Sequence, residues 1–301
     1  MNSLPSILRR KCHSQESSIL WDASVFYFGL GIPILLILVF VDQTEINAEP
    51  RWIKPLKFFL SIGLYNLTLE WLYRFFRTDQ NVVQLNRVRW VIAVGMLIEG
   101  VLIVTQAARG VQSHFNIATS LDALIFSIMG ISISIVVLAA LFSGFIIWKA
   151  RKLAPPVFGE AILLGILIMT VASFQGFAMT GPTPQQLAAS ERGEGPLLAG
   201  SHFVGEPPVE DHRTLPFTGW SLDIGDLRIP HFIGIHALQC LLALACLLDR
   251  LKVTAPLLFI RLSALLYGGL FLYAYLSAQA GVFLLQDINR IVDSTAICVH
   301  L

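Results

Sequence analysis

The sequence is poor in charge, and this shortage is the first constraint on the class of protein. Charged residues are 14% of the 301 residues, whereas hydrophobic residues are 55%. Ordinary soluble domains carry about 25% charged residues. The mean hydropathy is +0.70. A water-soluble chain with so little charge could not cover its surface, so lipid has to cover it, and a soluble globular protein is excluded.

Cysteine and the familiar chemical motifs are also scarce. The chain has 4 cysteines, and they are too scattered for a disulfide framework or a CxxC site. Zinc-protease HExxH and phosphate-binding Walker sequences are missing from the sequence. With a net charge of +1 and no basic patch, nothing indicates a nucleic-acid partner.

Long hydrophobic runs are what the sequence does contain. Seven of them reach or approach the roughly 20 residues that a membrane-spanning helix needs. We predict spans near 24–41, 55–76, 90–108, 121–148, 156–179, 230–248 and 254–281. The prediction is an all-α integral membrane helical bundle, one polytopic domain over residues 1–301. The first run is interpreted as an uncleaved anchor, because it is longer than the apolar core of a typical signal peptide.

The distribution of Lys and Arg predicts the orientation of the helices. Twelve of these residues lie in or beside the segments on one side of the predicted membrane and seven on the other, where the segments are longer. Because basic residues are retained inside, the N-terminus is predicted inside and the C-terminus outside, in a bacterial inner membrane. The long connection 180–229 is then an outer loop, with a short surface helix capped by Thr183 and Gln186.

Histidines concentrate on the predicted outer side, most closely in the stretch GDLRIPHFIGIHALQ at 225–239. With Pro230 as the first helical residue, His236 would lie about 9 Å deeper, and Gln239 one turn further on the same face. His231 and His236 would be about 140° apart on an unbroken helix, too far around to bind one metal. We expect this helix mouth to face an outward-opening polar pocket. The alternative is that backbone carbonyls satisfy the histidines.

Polar residues of other predicted outer ends complete this candidate pocket. The candidate catalytic or proton-transferring residues are His236, His114, Asp226 and Glu99. The candidate substrate-binding residues are Arg228, His231, Arg109, Asn116, Gln239 and Lys57. His114 and His236 are the candidate metal ligands, which requires their rings to lie within about 12 Å of each other. The sequence identifies no cofactor, and the expected partners are the lipid bilayer and a small-molecule ligand.

Glu99 is the most unusual of these residues, because it lies near the centre of the third predicted span. A charged side chain there costs roughly 2.5–3.5 kcal/mol, so we expect Glu99 to face the bundle and to be protonated or paired. Structural explanations compete elsewhere. Asp122 suits the positive end of a helix that Ser120 can cap, and Lys57 can extend to the headgroups.

Parts of the sequence resemble known sequences. They are RWIKPLKF at 51–58, ARGVQSHFN at 108–116 and the stretch at 225–239. They are similar to bacterial multi-pass membrane proteins with no established activity. The resemblance covers about 35 residues directly, together with the hydropathy of the whole chain. It implies a multi-pass membrane location and carries over no catalytic residue.

The sequence leaves three functions open. The first is a membrane enzyme, metal- or haem-assisted or acting on a small substrate, with an outward-facing pocket lined by His, Arg and Asp. The second is a small-solute or proton-coupled transporter that uses Glu99 and His236. The third is a non-catalytic subunit of a membrane complex.

The predicted orientation can be tested with reporter fusions. Fusions after residue 82 and after residue 200 should report opposite sides of the membrane, because the basic connections set the topology. Activity of a cytoplasmic reporter and of an exported reporter, compared at both positions, gives the measurement. The same side for both fusions contradicts the seven-span topology.

Overall fold

The computed structural model describes residues 18–47, 49–193, 198–204 and 213–283. Within them most of the chain is helical, and an antiparallel hairpin is formed by two two-residue strands, β1 Glu45–Ile46 and β2 Glu49–Pro50. The helices are α1 Ile19–Phe26, α2 Ile32–Val41, α3 Ile53–Phe76, α4 Val82–Ala108, α5 Ser120–Ala150, α6 Pro156–Gln175, α7 Pro184–Glu191, α8 Arg228–Ile235, α9 Ala237–Arg250 and α10 Pro256–Gln279. A π-helical turn, Tyr27–Gly31, joins α1 to α2.

Several of these helices are compatible with crossing a membrane. Five helical segments of the described chain are long and apolar enough, and α8 with α9 makes a sixth if the bent pair is one span. Their outer surfaces are apolar: Phe40, Ile131, Leu265 and Leu266 are each more than 60% exposed. Lipid is the solvent that such a surface fits. The all-α membrane class is therefore supported, whereas the count of seven spans and the orientation stay predictions.

The predicted second span is helical as α3 but is not among the apolar segments. Helix α3 can be less apolar because other helices surround it. It packs against α1, α2, α4 and α5 in the compact unit formed by Met1–Leu163 and Leu242–Ile260. Neighbouring helices cover its polar side chains, among them Asn66 and Glu70, which are buried. A helix screened from lipid does not need an apolar residue at every position.

The second compact unit contains Leu164–Leu241 and Arg261–Leu301. Here α6 and α8–α9 approach closely through glycines. A Cβ atom at Gly165 would lie 2.7 Å from the Leu238 Cα atom. A Cβ atom at Gly234 would collide with Ala172. Small residues that let two backbones approach are the usual device for packing helices in membranes.

The helix that carries the predicted histidines begins earlier than expected and is not continuous. It starts at Arg228, so Pro230 is its third residue. The chain bends by 41° between α8 and α9, with His236 at the break. The Tyr267 hydroxyl donates a hydrogen bond to the Ile233 carbonyl there (2.6 Å), and such side-chain insertion is a known cause of kinks. The depth and angle estimated from an unbroken helix were therefore wrong.

The short helix predicted in the 180–229 loop is confirmed as α7. Thr183 is its N-cap, and the capping box with Gln186 is complete. Gln186 also donates through its side chain to the Gly200 carbonyl (2.7 Å), which fastens the helix to the following loop. Residues 194–197 and 205–212 of the loop lie outside the described residues.

The close packing at Gly165 predicts a sharp cost for one added methyl group. Gly165→Ala should lower stability by about 1–3 kcal/mol, the usual range for overpacking, because the contacted atom belongs to the backbone. Gly269→Ala on α10 is the matched control, since nothing lies within 4 Å of its added Cβ atom. Thermal unfolding in detergent measures both variants. Equal melting temperatures for the two variants would contradict the packing.

Candidate functional site

The connection between α4 and α5 folds back toward its own helix. Helix α4 ends at Ala108, and Gly110, two residues later, has a φ of +72° that lets the chain turn. The N–H groups of Gly110 and Val111 donate to the carbonyls of Ala107 (3.0 Å) and Gln106 (3.1 Å), which satisfies the helix end. The return of the loop is what makes a contact with Glu99 possible.

Glu99 and His114 meet inside the first unit. Glu99 is 4% exposed, so it faces the bundle as the sequence predicted. His114 Nε2 lies 3.5 Å from Glu99 Oε1, which is an ion-pair distance and longer than a good hydrogen bond. On its other side, His114 Nδ1 lies 3.1 Å from the Ser113 hydroxyl. The Phe58 ring, centred 5.6 Å from the imidazole, forms part of the apolar wall.

Lys54 is the cation that acts on this pair. It is close enough to influence both Glu99 and His114 electrostatically. Burial, and then the Lys54 charge, hold the pKa of His114 well below its usual value, so the imidazole is neutral at pH 7. The second Glu99 oxygen, Oε2, is buried and accepts no hydrogen bond from the described residues. The group is thus an acid, a neutral base and a cation in apolar surroundings, which we call the Glu99 cluster (Glu99, His114 and Lys54).

The remaining polar residues of this connection hold the loop in place. Asp122 receives hydrogen bonds from Arg109 (2.6 Å) and Gln106 (3.0 Å). Arg109, which was predicted to bind substrate, therefore forms an ion pair with the buried Asp122 carboxylate. Thr119 is the N-cap of α5 and donates to Asp122 (2.6 Å). The cap predicted at Ser120 is therefore one residue too late.

Asn116 and Lys57 also have partners within the chain. The Asn116 side-chain carbonyl accepts from the Ala118 N–H (3.0 Å), and its amide donates to the Gln112 carbonyl (3.3 Å). Lys57 pairs with Glu49 at 3.3 Å, on the hairpin. Both residues were predicted to bind substrate, and both contribute to the local structure of the connections.

Asp226 and Arg228 form a closed polar cluster in the second unit. Asp226 is 1% exposed and accepts hydrogen bonds from Arg228 Nε (2.9 Å) and the Ser221 N–H (3.0 Å). Arg228 also donates to the Gly219 carbonyl (2.6 Å) and lies over the Phe203 ring. The backbone N–H of Arg228, at the start of α8, also donates to Asp226 (3.0 Å).

The two histidines of α8 have different environments. His231 Nδ1 lies 2.9 Å from the Ala172 carbonyl, so a backbone group satisfies it. His236 packs on Phe232 with ring centres 4.4 Å apart, and its Nε2 has no partner among the described residues. The same holds for the side-chain oxygen of Gln239, three residues on.

The sequence-predicted site thus divides between the two units. Glu99 and His114 meet in the first, whereas Asp226 with Arg228 and the His236 bend belong to the second. A pocket shared by His114 and His236 stays a prediction. In the described part of the chain, no three His, Cys, Asp or Glu residues cluster in a way that could hold a metal.

Lys54 and Ser113 are not among the predicted site residues, and Lys54 was interpreted as a lysine that extends to the headgroups. The sequence signal that could have placed Lys54 in the site was its position one turn before Phe58, on a helix that also carries other polar residues. No family model matches the chain, and no curated protein or solved structure is significantly similar to it.

The environment of His114 predicts a pH dependence of stability. The folded pKa lies below the unfolded value of 6.5, so the unfolded chain binds the proton more readily. The stabilising contribution is complete above pH 6.5 and is lost as the pH falls toward the folded pKa. His114→Gln should flatten the fall in melting temperature on acidification. If the wild type and the variant show the same pH profile in detergent, the burial of a neutral imidazole is refuted.

Proposed function

We propose that the chain is a multi-pass membrane protein in which the Glu99 cluster binds and releases a proton, as part of a proton-coupled transport process. The observation that carries the proposal is a 4% exposed carboxyl with one unpartnered oxygen, beside His114 and Lys54. In the proposed topology the cluster lies toward the outer side of a bacterial inner membrane, and a small solute is the ligand.

The composition of the cluster supports a protonation cycle. A deprotonated Glu99 is balanced by the Lys54 charge, whereas protonation removes the negative charge from beside this cation. The two protonation states differ by one charge inside a low-dielectric bundle, where electrostatic energies are large. Protonation therefore alters how strongly Glu99 on α4 attracts His114 in the loop and Lys54 on α3. Ionisable groups inside membrane helices commonly serve proton relays for this reason.

The second unit supplies the further polar groups of the proposed transporter. The bend at His236 interrupts a membrane helix, and broken helices at ligand sites are common in transporters. The unpartnered His236 Nε2 and Gln239 oxygen could contact a solute. Asp226 and Arg228 play a structural part in this proposal, because they already bind each other.

A membrane enzyme is the second candidate, and one arrangement favours it. Ser113, His114 and Glu99 lie in a row, with the hydroxyl 3.1 Å from one imidazole nitrogen and the carboxylate 3.5 Å from the other. Hydroxyl, imidazole and carboxylate in this order can activate a serine nucleophile. Ser113 is only 4% exposed, so a substrate would need the loop to open.

Titration of the buried carboxyl tests the proposed function. In difference infrared spectra between acidic and alkaline buffer, the wild type should show a carboxylic-acid band from a buried group. Glu99→Gln should remove that band, and the loss should correspond to about one proton per chain, because the amide cannot ionise. Glu45→Gln, at an exposed carboxyl on the hairpin, is the matched control.

Two outcomes would count against the proton site. If Glu99→Leu matches the wild type in both folding and titration, Glu99 does not exchange a proton. If Ser113→Ala abolishes covalent labelling by a serine-directed phosphonate that the wild type accepts, the enzyme is favoured instead.

A further inference from the structure

His114 lies between two groups that can exchange the roles of hydrogen-bond donor and acceptor. Its Nε2 atom is 3.5 Å from Glu99 Oε1, and its Nδ1 atom is 3.1 Å from the Ser113 hydroxyl oxygen. A neutral imidazole has one N–H group and one bare nitrogen that accepts. The tautomer of His114 therefore decides which neighbour faces the N–H group and which faces the lone pair.

The surroundings of His114 keep the imidazole neutral. Lys54 from α3 and Glu99 from α4 are the charged groups that act on it. The rings of Phe58 and Phe115 lie against it on other sides. Burial, and then the Lys54 charge, hold the pKa of His114 well below its usual value. Since the imidazole does not gain a charge near pH 7, the position of its single proton is the property that can change.

A deprotonated Glu99 favours one of the two tautomers. At 3.5 Å its contact with the imidazole is electrostatic and longer than a good hydrogen bond. In a low-dielectric interior a carboxylate nevertheless attracts an N–H group and repels a lone pair. Nε2 therefore carries the hydrogen in this state. Nδ1 is then an acceptor, and the Ser113 hydroxyl donates to it across 3.1 Å.

Protonation of Glu99 reverses these roles. A protonated carboxyl offers an O–H donor, which a bare Nε2 accepts. The imidazole hydrogen is then on Nδ1, and the Ser113 oxygen accepts it. A serine hydroxyl suits both states because it has one donor and two lone pairs. Its own O–H no longer donates to the imidazole, so the loop has one more available donor when Glu99 is protonated.

We propose that His114 is a tautomer switch that reports the protonation of Glu99 to the loop, and that Ser113 is its positioning residue. On proton uptake, the Nε2–H bond breaks as an O–H bond forms on Glu99, and Nδ1 takes the proton of the Ser113 hydroxyl. A proton from solvent replaces the one that Ser113 gives. The net change is one proton gained by Glu99, and the imidazole is neutral before and after. The switch rests on the proposed function, because it operates only if Glu99 exchanges a proton.

The backbone around the switch is unusual. Residues 111–114 lie between Gly110 and Phe115, whose φ angles of +72° and +65° are both in the left-handed region. A bulky residue rarely adopts this conformation, and Phe115 is held in it while 3% exposed. The Gln112 side chain accepts a hydrogen bond from Asn47 of the hairpin (3.1 Å). The segment that carries the switch is thus connected to the exposed hairpin by a side-chain contact.

Nitrogen NMR of the full chain, with isotopically labelled histidine, tests the switch because protonated and bare imidazole nitrogens have well-separated shifts. The chain has 7 histidines, so His114→Gln, or His114→Asn if that variant does not fold, assigns the His114 signals. Above the midpoint pH of the infrared carboxyl band, Nε2 should carry the hydrogen. Below it, while the imidazole is still neutral, the hydrogen should be mainly on Nδ1. Glu99→Gln should abolish this exchange.

Two substitutions of Ser113 test its positioning role. Without the hydroxyl, the Nδ1–H group would lose its acceptor, and an unpaired buried donor is costly. The protonated carboxyl can instead accept from Nε2–H through its carbonyl oxygen, so Ser113→Ala should lower the acidic Nδ1–H fraction several-fold. Ser113→Thr keeps a hydroxyl and should resemble the wild type. Ser127→Ala, which removes an exposed serine hydroxyl on α5, is the matched control and should change nothing.

The possible results separate the switch from the proton site. If the carboxyl band titrates while both His114 nitrogens keep their shifts, or gain hydrogens together, the switch is overturned and the Glu99 site stands. If Ser113→Ala and the wild type have equal tautomer fractions, Ser113 does not position the imidazole. A carboxyl band that persists in Glu99→Gln refutes the proposed function, and the switch fails with it.

Discussion

A carboxyl group inside an apolar helix bundle has to be neutralised or paired, and the surroundings of Glu99 show how the first unit meets that requirement. Water, which would normally stabilise the charge, is largely displaced by side chains. The available partners come from two other segments: Lys54 from α3 and His114 from the loop after α4. The return of that loop depends in turn on the left-handed turn at Gly110 and on the Asp122 pairs that fix its far end.

The same principle explains the contrast between the polar clusters. Asp226 and Glu70 each accept from arginines and make at least two charge-assisted hydrogen bonds. Such sites are satisfied internally, and their removal would expose an unpaired charge. Glu99, Asn66 and His236 each keep a buried polar atom without a partner. Buried polar atoms without a partner are costly, and Glu99 with its unpaired oxygen is the basis of the proposed proton site.

Part of this arrangement could be predicted from the sequence. The helical membrane class follows from hydropathy and the shortage of charge, and the described helices overlap all seven predicted runs. The inward orientation of Glu99, the capping box at Thr183 and the i,i+4 pair of Glu70 with Arg74 also follow from local rules. These features depend on short-range periodicity, which a single sequence displays.

The partners of the candidate residues could not be predicted in this way. Sequence reasoning joined His114 to His236 because both lie at predicted outer ends. The contact that forms, between His114 and Glu99, depends on a loop folding back along α4. Similarly, the 41° bend at His236 accompanies the hydrogen bond from Tyr267 and the packing of Ala172 and Phe271 on Gly234. Tyr267, Ala172 and Phe271 all belong to distant segments of the chain. The spacing of residues along the sequence does not show which side chain of a distant segment will contact them.

Charge scarcity and apolar periodicity by themselves predicted a helical chain whose apolar helices are compatible with a membrane, and a few ionisable residues that face its interior. Only the tertiary structure decided which of them are neutralised and which remain available. Arg109, Arg228 and Lys57 form ion pairs with residues close in the chain. Glu99 and Asn66 each keep at least one buried polar atom without a hydrogen-bond partner among the described residues. The physical reason is that hydrogen bonds and ion pairs act over a few ångströms, so their satisfaction depends on the packing of whole helices.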